Sequence, residues 1–279
     1  NFTAPGSVPG ALYLINLQDS LPILQDVTPK TPQDFHPHGI SLFRTQDGRL
    51  LLFVVSHRKL SEGDVVERFE WQNESLVHLE TIVDETLMTA PNDLVAVGER
   101  SFYVTNDHYY AESGLGRTIE EYLQRAISYV LYYDGNSFRK VADGIAYANG
   151  INVSPDGGRI HVASTTGRKV FTYNRKAEGL LEQERVMDLN TGVDNIDITP
   201  DGALWIGCHP QMLKFVAHSN DAKKRSPSQI IRVSPDGTVK EIFLSDGVDY
   251  SGSTVGAVYG KHLLIGSVFE PSFLLCRME

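Results

Sequence analysis

Ile151-Asn152-Val153-Ser154-Pro155-Asp156-Gly157-Gly158-Arg159-Ile160-His161-Val162 and Ile196-Asp197-Ile198-Thr199-Pro200-Asp201-Gly202-Ala203-Leu204-Trp205-Ile206 are two copies of one pattern. Apolar residues alternate, a Pro-Asp-Gly turn follows, and a second apolar strand begins, which is how a β-hairpin is written. A short polar anchor precedes each copy: Ala148-Asn149-Gly150 before the first and Val193-Asp194-Asn195 before the second. Pro37-His38-Gly39-Ile40 and Pro91-Asn92-Asp93-Leu94 repeat the anchor, and Ser253-Thr254 before Val255 is a fifth. A repeated strand pair with an oxygen-bearing side chain at its inner entry aims several groups at one axial point. The pattern predicts a β-propeller with a hard-cation site on its axis.

The spacing between anchors suits a four-stranded blade with variable loops. Further strands alternate between them: Val65–Trp71 with Leu76–Ile82, Tyr129–Tyr133 with Phe138–Val141, Val170–Tyr173 with Arg185–Leu189, and Ile230–Val233 with Val239–Phe243. Asp134-Gly135 and Asp236-Gly237 add two more hairpin turns. Five units are countable, and Ala11–Leu17 reads as the end of another. The expectation is an all-β chain: one domain over residues 1–279, a six-bladed propeller whose first strands are absent. Thr118–Val130 breaks the pattern, with Ile119, Leu123 and Ile127 at helical spacing. It is expected to be an inserted amphipathic helix.

The bulk properties exclude several classes. Of 279 residues, 41% are hydrophobic and 22% charged, ample for a large core. The net charge of −10 argues against a nucleic-acid partner or an anionic membrane surface. No apolar run approaches the ~18 residues of a transmembrane helix. There is no Gly-x-Ser-x-Gly elbow, His-Glu-x-x-His helix or P-loop. Asn73-Glu74-Ser75 and Asn152-Val153-Ser154 match the glycosylation acceptor pattern, which is frequent by chance. The start at Asn1-Phe2-Thr3, with neither Met nor signal peptide, reads as a mature or trimmed chain. The two cysteines differ in setting: Cys208 lies in a strand-like run, and Cys276 lies near the end, where a thiol more often ties the terminus down.

Any single Asn-Gly or Asp-Asn is explained by a turn. Recurrence at equivalent points of successive repeats makes Asn92, Asp93, Asn149, Asp194 and Asn195 candidate ligands of Ca²⁺, which takes six to eight oxygens in loose geometry. Zinc would want clustered His and Cys, and the sequence has no such cluster. His38 occupies an anchor slot, and His57 ends the strand Leu50–Val55 at the far end of the hairpin that His38 begins. A His at each end of one strand pair suits acid–base chemistry near neutral pH. His108 and His209 both follow strands and are candidates for the same face.

Several of these stretches together resemble one known family. Phe35–Ser41, Asn92–Gly98, Thr105–Tyr109, Ala148–Asn152, Val193–Ile196, Gly207–Pro210 and Gly252–Val255 are similar to paraoxonase/arylesterase signatures, in family order from about residue 10 onwards. The resemblance implies a six-bladed propeller with two axial calcium ions, acting on lactones and aryl esters and in some members on phosphotriesters. It implies Asn92, Asn149, Asp194 and Asn195 as ligands of a catalytic calcium that polarises the substrate carbonyl. Asp93 and the backbone oxygen of Ile40 would serve a structural calcium. His38 and His57 match a dyad that activates water, and His108, Tyr147, His209 and Thr254 fall at substrate-pocket positions. The family's N-terminal Glu-Asp pair is missing before Gly10, as is the Cys that would pair with Cys276. A disulfide from Cys276 would imply a secreted or periplasmic protein. The charge of Thr118–Val130 argues against docking to lipoproteins or membranes. The partner is therefore expected to be a small lactone or ester. Rival readings are a gluconolactonase-like or strictosidine-synthase-like propeller enzyme, and a non-catalytic calcium-stabilised binding propeller. The two histidines at one face favour an enzyme.

Overall fold

The protein is described by a computed structural model that covers residues 10–19, 22–30, 32–58, 63–108 and 126–278. A short ribbon comes first, β1 (Tyr13–Ile15) against β2 (Leu24–Asp26). Five antiparallel sheets follow in chain order. The first comprises β3 (Pro37–Arg44), β4 (Leu50–Ser56), β5 (Val65–Gln72) and β6 (Ser75–Ile82). The second is β7 (Pro91–Ala96), β8 (Phe102–Asn106), β9 (Ser128–Tyr133) and β10 (Phe138–Ile145). The third is β11 (Ala148–Val153), β12 (Arg159–Ser164), β13 (Lys169–Arg175) and β14 (Leu181–Asp188). The fourth is β15 (Gly192–Ile198), β16 (Leu204–His209), β17 (Ser228–Val233) and β18 (Val239–Ser245). The fifth has three strands, β19 (Ser253–Tyr259), β20 (His262–Ser267) and β21 (Leu274–Arg277).

Each sheet is a meander in which every strand pairs with the next. The first hairpins owe their form to the Asp-Gly turns. Gly157 and Gly202 adopt φ of +72° and +81°, a region where a Cβ is strained, and their amides donate to the carbonyls of Ser154 and Thr199. The blades stack face to face, and the core lies between them in successive clusters. Leu51, Phe53 and Val66 of the first sheet pack on Phe102, Val104 and Leu131 of the second. Tyr103 and Val130 meet Ile151, Ile160 and Val162 in the next cluster. Ala163 and Val170 then meet Ile196, Ile206 and Ile231, and Trp205 and Ile230 meet Leu263 and Ile265.

The described residues form a five-bladed propeller with one α-helix, which corrects the six-bladed expectation. The stretch Ala11–Leu17 supplies only β1 of the ribbon. Leu12 packs there with Phe35, just before β3, and with Val54 and Phe69 of the first blade, while Tyr13 and Leu14 are exposed, so the stretch covers the first blade and does not build a further one. The helix is α1 (Met212–Asn220), between β16 and β17. The expected helix over Thr118–Val130 lies mostly outside the described residues, and its last part, from Ser128, is strand β9. No helix among the described residues is long and apolar enough to cross a membrane. Cys208 is buried and free, and Cys276 is half-buried and free.

Candidate active site

All five anchors do the same thing to the chain: each carries one residue more than its partner strand. Pro37 pairs with Ser56 and Ile40 with Val54, so three steps on β3 oppose two on β4. The same slip occurs between Pro91 and Leu94, Ala148 and Ile151, and Val193 and Ile196. In β19 it falls between Ser253 and Val255. Such a bulge bends the strand and re-aims a side chain, so His38, Asn92, Asn149, Asp194, Asn195 and Thr254 all occupy the disrupted step. Small residues let the bulges approach. A Cβ on Gly39 would lie 2.6 Å from the carbonyl oxygen of Asn92, and one on Gly150 would lie 2.4 Å from that of Asp194.

Hydrogen bonds tie neighbouring bulges together. Thr105 Oγ1 donates to the carbonyl of Asn149 at 2.7 Å and accepts the amide of Asp93 at 3.1 Å. Asp93 accepts its own neighbour's amide, Leu94 N–H, at 2.9 Å and that of Ile151 at 3.0 Å. Burial, reinforced by the charge of Asp194 and opposed by these two amides, raises the Asp93 carboxyl to about 7. Asn149 Nδ2 donates to Thr165 Oγ1 at 3.1 Å. Asp194 Oδ2 lies 2.9 Å from Nε2 of the fully buried His209, whose ring stacks on Phe215 of α1.

The histidines expected to act together are neighbours. The rings of His38 and His57 meet edge to face, 4.8 Å between centroids. His57 N–H donates to the carbonyl of His36 at 3.0 Å, which fixes the backbone next to the ring. Burial, with added repulsion from His57, pushes His38 down to about 3, so the ring is neutral at physiological pH. His38 also meets the side chain of Asn92. From Asn92 the chain continues through Asp107, which accepts Asn92 Nδ2 at 3.0 Å and faces His108 Nδ1 at 2.6 Å. His108 in turn meets Tyr147 edge to face at 4.9 Å. Tyr147 holds φ of +57°, a strained conformation for a residue with a Cβ and one that collects at functional sites.

The two-calcium expectation is corrected here. Among the described residues no group of three or more His, Cys, Asp or Glu side chains gathers to hold an ion. The two buried carboxylates of the anchors, Asp93 and Asp194, are already engaged by protein donors. Ile40, its backbone oxygen the expected partner of Asp93, follows Gly39 at the bulge packed against Asp93, and its side chain lines a cleft of about 450 Å³ with Leu42, Asn152 and Asp197. Two residues that sequence reasoning missed are Asp107, quoted in a motif but given no role, and Asp64. Asp64 Oδ2 lies 2.9 Å from His57 Nδ1, and nothing in their separation of seven positions signals the contact.

The arylesterase family model matches residues 2–278. Serum paraoxonase/arylesterase 1 of Rattus norvegicus is 38% identical over 273 residues, covering 95% of this chain and 76% of that protein. The Homo sapiens protein of the same name is 36% identical over 279 residues, covering 97% and 77%. Among solved structures, a Bacteroides uniformis protein described as a candidate 6-phosphogluconolactonase superposes with a TM-score of 0.53 at 15% identity, over 94% of this chain and 86% of that one. At that identity the likeness speaks for the fold alone. Matched along nearly its whole length by the family and by relatives that share more than a third of its aligned residues, the chain belongs to the arylesterase family and is a propeller-fold hydrolase of the arylesterase/lactonase superfamily.

Proposed function

We propose that the chain hydrolyses small aryl esters and lactones where its anchors converge, with His38 and His57 activating the attacking water. The observation that carries this reading is the contact of those two rings at 4.8 Å, at the bulged entry of the first blade. A neutral His38 accepts a proton from water as the water oxygen bonds to the carbonyl carbon, and the carbonyl electron pair moves onto oxygen. The tetrahedral oxyanion then collapses, the ester C–O bond breaks, and the leaving oxygen takes the proton back from the imidazolium. In a lactone that oxygen stays on the product as its hydroxyl.

The oxyanion needs donors in place before it forms. Asn92 and Asn149 each commit one amide hydrogen, to Asp107 and Thr165. Each carboxamide has a second hydrogen, and these are assigned to the oxyanion. The test is hydrolysis of phenyl acetate and δ-valerolactone by the wild-type chain and by His38→Gln. Turnover that falls in the variant supports the reading, and turnover that does not fall removes the dyad.

A second reading, a gluconolactonase-like enzyme, is favoured by the polar character of the anchors. Asn92, Asn149, Asp194 and Asn195 offer hydrogen-bonding groups suited to a hydroxylated ring. A kcat/KM for glucono-δ-lactone well above those for phenyl acetate and δ-valerolactone would select it.

A further inference from the structure

Strands β4 and β5 are in register up to Ser56 opposite Val65. His57 and Asp64 flank that last pair in sequence, and their side chains meet: His57 Nδ1 lies 2.9 Å from Asp64 Oδ2. The two side chains are only 22% and 24% exposed, so the pair is partly shielded from solvent and salt. The hairpin connection is also clipped at its base, where Arg58 Nε donates to the carbonyl of Gly63 at 2.8 Å. His57 itself is held by its backbone bond to His36. His57 is thus held by a main-chain bond, and Asp64 stands between the clipped Gly63 and the start of β5 at Val65.

On the hydrolase reading above, we propose that Asp64 is the positioning residue of the histidine pair, accepting the Nδ1–H of His57. An imidazole that gives its Nδ1–H to a carboxylate has its lone pair on Nε2. His57 is thereby set as a proton acceptor on its other nitrogen, and its ring rotation is restricted beside His38. When a proton reaches His57, the carboxylate opposite stabilises the imidazolium without taking the proton itself, the role that the buried aspartate plays in serine-protease triads. A carboxylate–imidazole–imidazole series, Asp64–His57–His38, then runs from the hairpin base to the anchor of the first blade.

A purely structural ion pair would predict something different. It would close the 58–63 connection and lower thermal stability when lost, but leave turnover per folded molecule unchanged. Four proteins separate the two roles: wild type, Asp64→Asn, Asp64→Glu and His57→Gln. Two readouts are taken, the kcat and KM for phenyl acetate and the His57 tautomer from long-range ¹H–¹⁵N correlation spectra. The expected result is an Nδ1–H tautomer in wild type and a mixed one in Asp64→Asn. kcat should fall at least about tenfold in Asp64→Asn with KM little changed, and recover in large part in Asp64→Glu. A wild-type kcat in Asp64→Asn beside a crippled His57→Gln overturns the positioning role and leaves the dyad standing. A wild-type kcat in His57→Gln overturns the dyad and this proposal with it. The spectrum of the wild-type protein decides even if Asp64→Asn fails to fold, since an Nε2–H tautomer there contradicts the proposal outright.

Discussion

Asp93 Oδ2 accepts the backbone N–H of Ile151 at 3.0 Å, across 58 positions of sequence, so that a side chain in the second blade's bulge closes the irregular step of the third. The same carboxyl takes Leu94 N–H on its other oxygen. Removing it by Asp93→Ala leaves two buried amides without acceptors. Each orphaned donor costs about 1–3 kcal/mol, so a loss of roughly 2–6 kcal/mol is expected. Urea denaturation followed by tryptophan fluorescence measures it, and a loss below about 1 kcal/mol would show that the amides find other partners.

Gly150 is expected to tolerate no side chain. Its Cβ would stand 2.4 Å from the Asp194 carbonyl oxygen and 2.6 Å from the Asn195 Cα, both backbone atoms of the next blade. Backbone cannot rotate away as a side chain can, so Gly150→Ala should cost at least the 1–3 kcal/mol typical of overpacking. Gly48→Ala is a useful contrast, since a Cβ there meets nothing within 4 Å and only its φ of +90° opposes the change. The thermal midpoint of Gly150→Ala should therefore fall below that of Gly48→Ala.

The acid limb of stability should carry a contribution from His161. Burial, then the charges of Arg159 and Arg185, push this imidazole down to about 4, and its Nδ1 lies 3.1 Å from Thr172 Oγ1. The folded state thus binds its proton less readily than the unfolded chain, whose histidines titrate near 6.5. Its contribution is fully present above that value and is lost as pH falls from about 6.5 to about 4. The difference amounts to roughly 3 kcal/mol, at about 1.4 kcal/mol per pK unit. His161→Gln keeps a neutral polar group and should flatten that limb. Identical stability–pH curves for variant and wild type would count against the assignment.

Much of the fold was legible because its determinants are local. The Asp-Gly turns at Asp156-Gly157 and Asp201-Gly202 and the alternating runs of β5, β13 and β17 lie where their residue chemistry predicts. The anchors were legible as a repeat, but the bulge that unites them is a property of pairing, visible only once both strands are present. The blade count differs at Ala11–Leu17, where alternation alone does not distinguish a blade strand from a short, largely exposed ribbon whose flanking Leu12 packs with Phe35 and Phe69. Sequence shows Asp93 and Asp194 as oxygen ligands for a cation, but it does not show what already engages them. His209 and the amide of Ile151 do so here. The approach of His38 to His57 was inferable from one hairpin, whereas Asp64 follows from register across a turn.

Activation of water by the paired histidines is read from the kcat/KM of His38→Gln for phenyl acetate, with folding checked by circular dichroism. A fall of about 10²–10⁴-fold is expected in a normally folded protein, the usual contribution of a positioned general base. A folded His38→Gln protein with the wild-type kcat/KM would contradict it.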